Sequence, residues 1–221
     1  MEKRIIVVGG QKGGGGKSNI AANFAVLRQI KTNKKVLLVD ADEQGSSSNW
    51  SARRSQKGEL FPITTIKKFG DKDFINTIKS LMEDFDDAII DVGGKNTFEL
   101  RASMILGTDL VTPMASSQDD VDTINFVDVM VSEAKLFNPS LRAFMVPSKV
   151  SAITNELPEL LLLAEELENF KMTKTVIFER VVYRKVRKSG LSVFEIAKNH
   201  KDYDQKAIDE ITNLYNEIYG K

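Results

Sequence analysis

Short apolar runs alternate along this chain with longer stretches of helical period. The runs Arg4–Val8, Lys35–Asp40, Ile63–Lys67, Ala88–Asp91, Leu110–Met114, Arg142–Pro147 and Thr175–Phe178 read as strands. The segments Lys17–Ile30, Ser46–Gln56, Asp71–Phe85, Thr97–Leu106, Asp119–Phe137, Glu156–Asn169 and Asp202–Tyr219 read as helices. Strict alternation of this kind predicts an α/β fold, a mostly parallel central sheet with helices on both faces. Val36-Leu37-Leu38-Val39 has no polar alternation, which is what a strand covered on both faces requires. The stretches Gln56–Phe61 and Gly93–Asn96 read as loops at strand ends, where open α/β sheets carry their ligand chemistry.

Composition narrows the picture. The 221 residues, with no repeat and no long linker, are expected to form one domain spanning 1–221. With no cysteine in the sequence, disulfides, thiolate zinc sites and cysteine-ligated iron–sulfur clusters are excluded. Lys plus Arg and Asp plus Glu number 31 each, so the formal net charge is zero. That excludes a globally basic nucleic-acid binder and leaves room for a local basic patch. The N-terminal apolar run is short and is interrupted by glycines from Gly9, so it does not read as a secretory signal. No stretch approaches the roughly 18 apolar residues of a membrane span. The expected location is cytoplasmic.

The chemistry begins at Lys12-Gly13-Gly14-Gly15-Gly16-Lys17-Ser18, set between the first strand and the first helix. Strand, glycine loop and helix in that order form a phosphate cradle. Glycines let backbone N–H groups turn onto an anion, and the helix N-terminus adds its positive dipole end. Lys17 is placed to reach the β- and γ-phosphates and Ser18 to offer its hydroxyl to Mg²⁺. Lys12 is one lysine more than such a loop needs. Two further strands end in carboxylates, Val39-Asp40-Ala41-Asp42 and Ile89-Ile90-Asp91-Val92-Gly93-Gly94, on the same sheet edge as the loop. Asp91 suits a Mg²⁺ site, often through water. Asp40 is then available to polarise attacking water, and Asp42 either caps the following segment or supports the water network. Gly93 and Gly94 are placed to bring backbone N–H groups to the γ-phosphate.

With these pieces in order, the sequence resembles the ParA/MinD family of deviant Walker A P-loop ATPases, and more specifically the ParA-type DNA-partition ATPases. The matching motifs are Gln11 to Ser18, Val39-Asp40-Ala41-Asp42-Glu43-Gln44 and Ile89-Ile90-Asp91. Looser matches run through Leu110-Val111-Thr112-Pro113 and through Arg180 to Glu195. The sequence departs from the family pattern with Gly10, Asn19, Glu43 and Val92-Gly93-Gly94.

The resemblance implies a slow, partner-stimulated ATP hydrolase that uses ATP/ADP and Mg²⁺. It implies a homodimer formed with ATP, in which Lys12 reaches across to the partner's phosphates. Lys12, Lys17 and Asp40 are the expected catalytic residues. Ser18 and Asp91 are the expected metal ligands. The residues expected to touch nucleotide are Lys12, Gly13, Gly14, Gly15, Gly16, Lys17, Ser18, Asn19 and Asp42.

The implied role is partition or positioning of plasmid or chromosomal DNA, with a nucleoid-associated location. The ATP dimer would bind DNA non-specifically, and a ParB-like centromere-binding or adaptor protein would trigger hydrolysis. Arg180, Arg184, Lys185, Arg187 and Lys188 are the candidate DNA-phosphate patch; the alternative is a solvated charged face. The Arg53-Arg54 and Lys67-Lys68 pairs are weaker candidates for such a patch, and solvation is the preferred reading there. Other possibilities are a MinD-like or cargo-positioning ATPase, and a metabolic enzyme of the dethiobiotin-synthetase type. The final helix carries Asp204, Asp209, Glu210 and Glu217 beside its apolar stripe, which disfavours anionic lipid and favours packing on the sheet. Trp50 is expected to pack beneath the loop after the second strand. Pro147 and its following loop, Ser148 to Ser151, are expected to border the base pocket. His200, the only histidine, is expected to be exposed.

Overall fold

The computed structural model describes residues 3–11, 14–70, 72–94, 97–115, 118–150 and 157–220. In chain order the elements are β1 (Arg4–Val8), α1 (Lys17–Thr32), β2 (Val36–Ala41), α2 (Ser46–Ser55), β3 (Thr64–Lys67), α3 (Phe74–Leu81), β4 (Asp87–Val92), α4 (Thr97–Leu106), β5 (Asp109–Met114), α5 (Gln118–Lys135) and β6 (Arg142–Val150). They are followed by α6 (Leu157–Glu166), β7 (Phe170–Met172), β8 (Ile177–Phe178), α7 (Val181–Ser189), a 3₁₀ turn (Val193–Glu195) and α8 (Gln205–Tyr219). The predicted helix starts at Asp71 and Glu156 lie outside the described residues.

The strands pair in the order β3-β2-β4-β1-β5-β6-β7, every pair parallel, with β8 extending the end of β6. All six residues of β2, of β4 and of β5 are buried, as the unbroken apolar runs require. Side chains alternate between two cores. Ile6, Val8, Leu38 and Ile89 face Phe24 of α1, Trp50 of α2 and Leu214 of α8. Val7, Leu37, Val39 and Ile90 face Phe74 of α3, Met104 of α4 and Met130 of α5. From β1 the chain crosses by α1 to β2 on one side, while β5 leads by α5 to β6 on the other side. The crevice this reversal opens at the carboxyl ends of the strands is where α/β sheets take ligands.

The opposite sheet edge is held by charge. Asp87 and Asp109, at the first positions of β4 and β5, are fully buried. Asp87 accepts from Arg28 Nε at 2.5 Å and from Lys34 Nζ at 3.1 Å, and Arg28 also donates to the Tyr215 hydroxyl. Asp109 pairs with both Arg4 and Arg142, and each of those guanidiniums also reaches the Ile218 carbonyl of α8. A predicted strand start at Ala88 or Leu110 misses both carboxylates, because polar residues read as loop until their partners are known. Asp87→Ala strands the buried Arg28 charge. It is expected to lower stability by about 3–5 kcal/mol, read from urea unfolding.

Three further differences from the sequence reading have local causes. The segment after Pro147 continues as strand because Ser148 and Val150 pair with β8. A bulge there sets Lys149 at φ 56°, in the left-handed region. The basic segment Val181–Ser189 is a helix, since Val182, Tyr183 and Val186 bury one side of it. Finally, α8 does pack on the sheet through Ile211, Leu214, Tyr215 and Ile218, but only Asp209 of its four acidic residues is exposed and the other three are engaged. Asp204 caps the helix by accepting from Ala207 N, Glu210 is buried against α7, and Glu217 accepts from Lys174 N and Thr175.

Candidate nucleotide site

The glycine loop turns into α1 through residues that a side chain would strain. Gly14 has φ 87° and Gly16, the N-cap of α1, has φ 94°. A Cβ on Gly15 would lie 3.0 Å from the Pro113 carbonyl oxygen. Ser148 Oγ donates to the Gly15 carbonyl oxygen at 2.9 Å, so the end of β6 pins the loop. No acidic residue occupies the first turn of α1 and no side chain caps it. Its N–H groups and dipole end are therefore disposed toward an anion. Lys17 opens this turn and is 8% exposed. Lys12 and Gly13 lie outside the described residues.

Asp40 and Asp91 stand directly opposite each other in the β2–β4 register. Both are buried and both face the side of the sheet that α1 and α2 cover. Asp91 Oδ2 accepts from Ser47 Oγ at 2.6 Å, and the Ser18 hydroxyl also bonds this carboxylate. Asp40 Oδ2 accepts from Ser48 N at 2.6 Å, in the first turn of α2. Burial raises the Asp91 pKa to about 6, with the Ser47 and Ser18 bonds opposing the rise and the Asp40 charge adding to it. Between about pH 4 and 6 the folded protein holds a proton here that the unfolded chain has released. The contribution of Asp91 to stability therefore falls as pH rises through that window. Above it the group is a buried anion that a cation would relieve.

The donor set suits Mg²⁺: a serine hydroxyl and carboxylates, all hard oxygen ligands. Among the described residues there is no group of three or more His, Cys, Asp or Glu side chains that could hold a metal by itself. One or two carboxylates completed by phosphate oxygens and water is the usual arrangement for Mg²⁺. The Ser48 hydroxyl is buried beside Asp40 with no partner among the described residues, which leaves a polar position for water. Asp42 Oδ1 accepts from Gln44 N, so it does cap the following turn. Asp42 also lines the cleft, pressed so closely on the next loop that a Cβ on Gly93 would meet Oδ1 at 2.6 Å. A side chain at 93 would have to displace the Asp42 carboxylate.

A cleft of about 470 Å³ runs from Gly14, Lys17 and Asn19 to the segment Ile177–Arg187. Asn19 takes a hydrogen bond from the Asn23 amide. Ile20, Phe178 and Tyr183 supply the apolar part of the far wall, with Ser148 and Lys149 beside them. Pro147 itself is not among the residues lining the cleft. Ser148 and Lys149, from the segment expected to border the base pocket, do line the cleft. Ser151 lies outside the described residues. The α7 side chains carry no such signal, because an amphipathic turn inside a basic run has no distinctive pattern.

The basic candidates separate. Arg180 is committed to Glu210, at 2.5 Å, and to Asp204 at 3.7 Å, and the Glu210 bonds raise its pKa further. Lys185 is paired with Asp202. Arg184, Arg187 and Lys188 are exposed, with no ion pair among the described residues. Arg184 and Arg187 border the nucleotide-sized cleft. Arg54 is a correction: it is buried, paired with Glu195 through two bonds of 2.8 and 2.6 Å. Trp50, expected beneath the loop after β2, is instead a residue of α2 buried in the core that α1 and α8 share, with its Nε1–H donating to the Leu191 carbonyl. His200 is exposed.

Fold and cleft together define a phosphate-loop nucleotide-binding α/β protein. The chain belongs to the CobQ/CobB/MinD/ParA nucleotide-binding domain family, whose profile matches residues 6–213. It is 48% identical over 50 residues to the maintenance of carboxysome distribution protein A of Gloeobacter kilaueensis, a match spanning 23% of this chain and 22% of that one.

Among the solved structures that share the fold are the following three. A plasmid partition protein of Borrelia burgdorferi B31 bound to AMPPNP is 19% identical, with TM-score 0.69 and coverage of 99% of this chain and 98% of that one. A Cyanothece McdA variant in complex with ATP is 16% identical, with TM-score 0.68 and coverage of 99% and 97%. The Pyrococcus furiosus cell division ATPase MinD is 17% identical, with TM-score 0.70 and coverage of 98% of both. Among the described residues, no helix is long and apolar enough to cross a membrane.

Proposed function

We propose that this protein is an ATP-switched, homodimerising ATPase that positions a large cargo, DNA in the first instance. The observation that carries this reading is the bond from the Ser18 hydroxyl of α1 to Asp91, with Asp40 opposite Asp91 in the sheet register, beside a cleft lined by Gly14, Lys17 and Ser18. Lys17 neutralises the β- and γ-phosphates, and Ser18 and Asp91 hold Mg²⁺, which supplies charge neutralisation at the phosphates. Asp40 orients the attacking water, and Asn19 and Asp42 line the nucleotide's path. Lys12 belongs to the second copy's phosphates. It adds positive charge only when two subunits meet, so ATP favours assembly and hydrolysis removes the preference. A ParB-like or adaptor protein stimulates that hydrolysis.

The DNA surface of this reading is α7. With Arg180 and Lys185 consumed by carboxylates, it rests on Arg184, Arg187 and Lys188, and dimerisation doubles it. Replacing these three by alanine is expected to weaken ATP-dependent DNA binding. The slope of log affinity against log salt should flatten by about 0.9 for each DNA phosphate that is no longer neutralised. ATP affinity is measured alongside. If ATP affinity falls and the DNA slope does not change, these side chains serve the cleft and the DNA reading of α7 fails. A protein cargo in place of DNA is favoured by the 50-residue similarity to the carboxysome distribution protein. Co-sedimentation with DNA, with and without ATP, separates the two.

A further inference from the structure

Ser47 has no role in the reading above, yet it is fully buried and its hydroxyl makes one of the shortest contacts in the crevice, 2.6 Å to Asp91 Oδ2. The next residue, Ser48, gives its backbone N–H to Asp40 at the same distance. The first turn of α2 is thus tied to both site carboxylates. Resting on the assignment of Asp91 to Mg²⁺, we propose that Ser47 is a positioning residue for the metal carboxylate. By holding Oδ2, the hydroxyl stops rotation of the carboxylate plane and presets its bearing toward Ser18 and the phosphate loop. A carboxylate that must be reoriented as the cation arrives binds it less well, and partners of this kind contribute strongly to metal affinity.

The rest of α2 makes Ser47 a fixed anchor rather than a mobile one. Trp50 bonds the Leu191 carbonyl, Arg54 grips Glu195 and the Gly190 carbonyl, and Arg53 reaches the Arg187 carbonyl. The helix is therefore clamped at its far end to α7 and the segment after it. A hydroxyl on such a helix can hold a carboxylate's orientation.

The test is Mg²⁺ titration of binding of a fluorescent ATP analogue to the full chain and to Ser47→Ala and Ser47→Thr variants, with binding in EDTA and melting temperature measured in parallel. Ser47→Ala is expected to raise the Mg²⁺ concentration for half-maximal binding about tenfold or more, while affinity in EDTA stays within about twofold. Ser47→Thr, which keeps the hydroxyl, is expected to restore the midpoint. A lower melting temperature with an unchanged Mg²⁺ midpoint in the alanine variant would assign Ser47 to structure alone and overturn the proposal. Should alanine not fold, Ser47→Cys, a weak donor, is expected to shift the midpoint in the same direction, and no shift overturns the proposal equally. If the unsubstituted protein binds the analogue without any Mg²⁺ dependence, the assignment of Asp91 fails and the role of Ser47 fails with it.

Discussion

Lys17→Ala is expected to remove measurable ATP binding, with affinity falling by a hundredfold or more. The side chain is almost wholly buried at the first position of α1, beside the phosphate cradle and within Coulombic range of Asp91. Charge-assisted bonds from an ammonium to phosphate in a partly desolvated crevice are worth about 2–3 kcal/mol or more. Its loss also leaves Asp91 without that neighbouring cation. Lys12→Ala gives the contrasting result expected of a lysine that serves the second subunit: monomer affinity for ATP is retained and ATP-dependent dimerisation is lost. Isothermal titration paired with sedimentation velocity reads both. If Lys12→Ala leaves dimerisation intact, the lysine has no role across the interface.

Gly190→Ala is expected to be the most damaging single substitution far from the crevice. An added Cβ would meet the Arg54 backbone N at 2.4 Å and the Arg53 carbonyl carbon at 2.7 Å, atoms of a helix that cannot rotate aside. Gly190 also has φ 71°, which costs any other residue about 1–2 kcal/mol. With about 1–3 kcal/mol for the forced separation of α2 from α7, the total is roughly 2–5 kcal/mol. A melting temperature lower by about 5–15 °C is expected for a chain of this size. Because α2 carries Ser47 and Ser48, Mg²⁺-dependent nucleotide binding should weaken as well. A variant as stable as the parent would refute the tight α2–α7 contact.

The sequence made the fold legible because β2, β4 and β5 are buried on both faces and so lack any polar alternation. It made the crevice legible because glycines, lysine, serine and strand-end aspartates keep short, fixed spacings along the chain. What escaped depends on contacts distant in sequence. Arg54 looks like a solvated cation until Glu195, 141 residues away, is brought against it. Arg180 looks like a DNA contact until α8 presents Glu210. Ser47 is one of three consecutive serines, and only the pairing of β2 with β4 sets Asp91 over it. Spacing reveals chemistry that is local to a loop, and the sheet order supplies the rest.

The most direct test of an ATP-switched dimer is the solution mass of the purified chain with Mg²⁺ and either ATP or ADP. A chain of 24.7 kDa is expected to sediment as a monomer with ADP. With ATP under conditions that prevent turnover, it is expected to sediment at about twice that mass. The same mass with both nucleotides would contradict the switch, even if both bind.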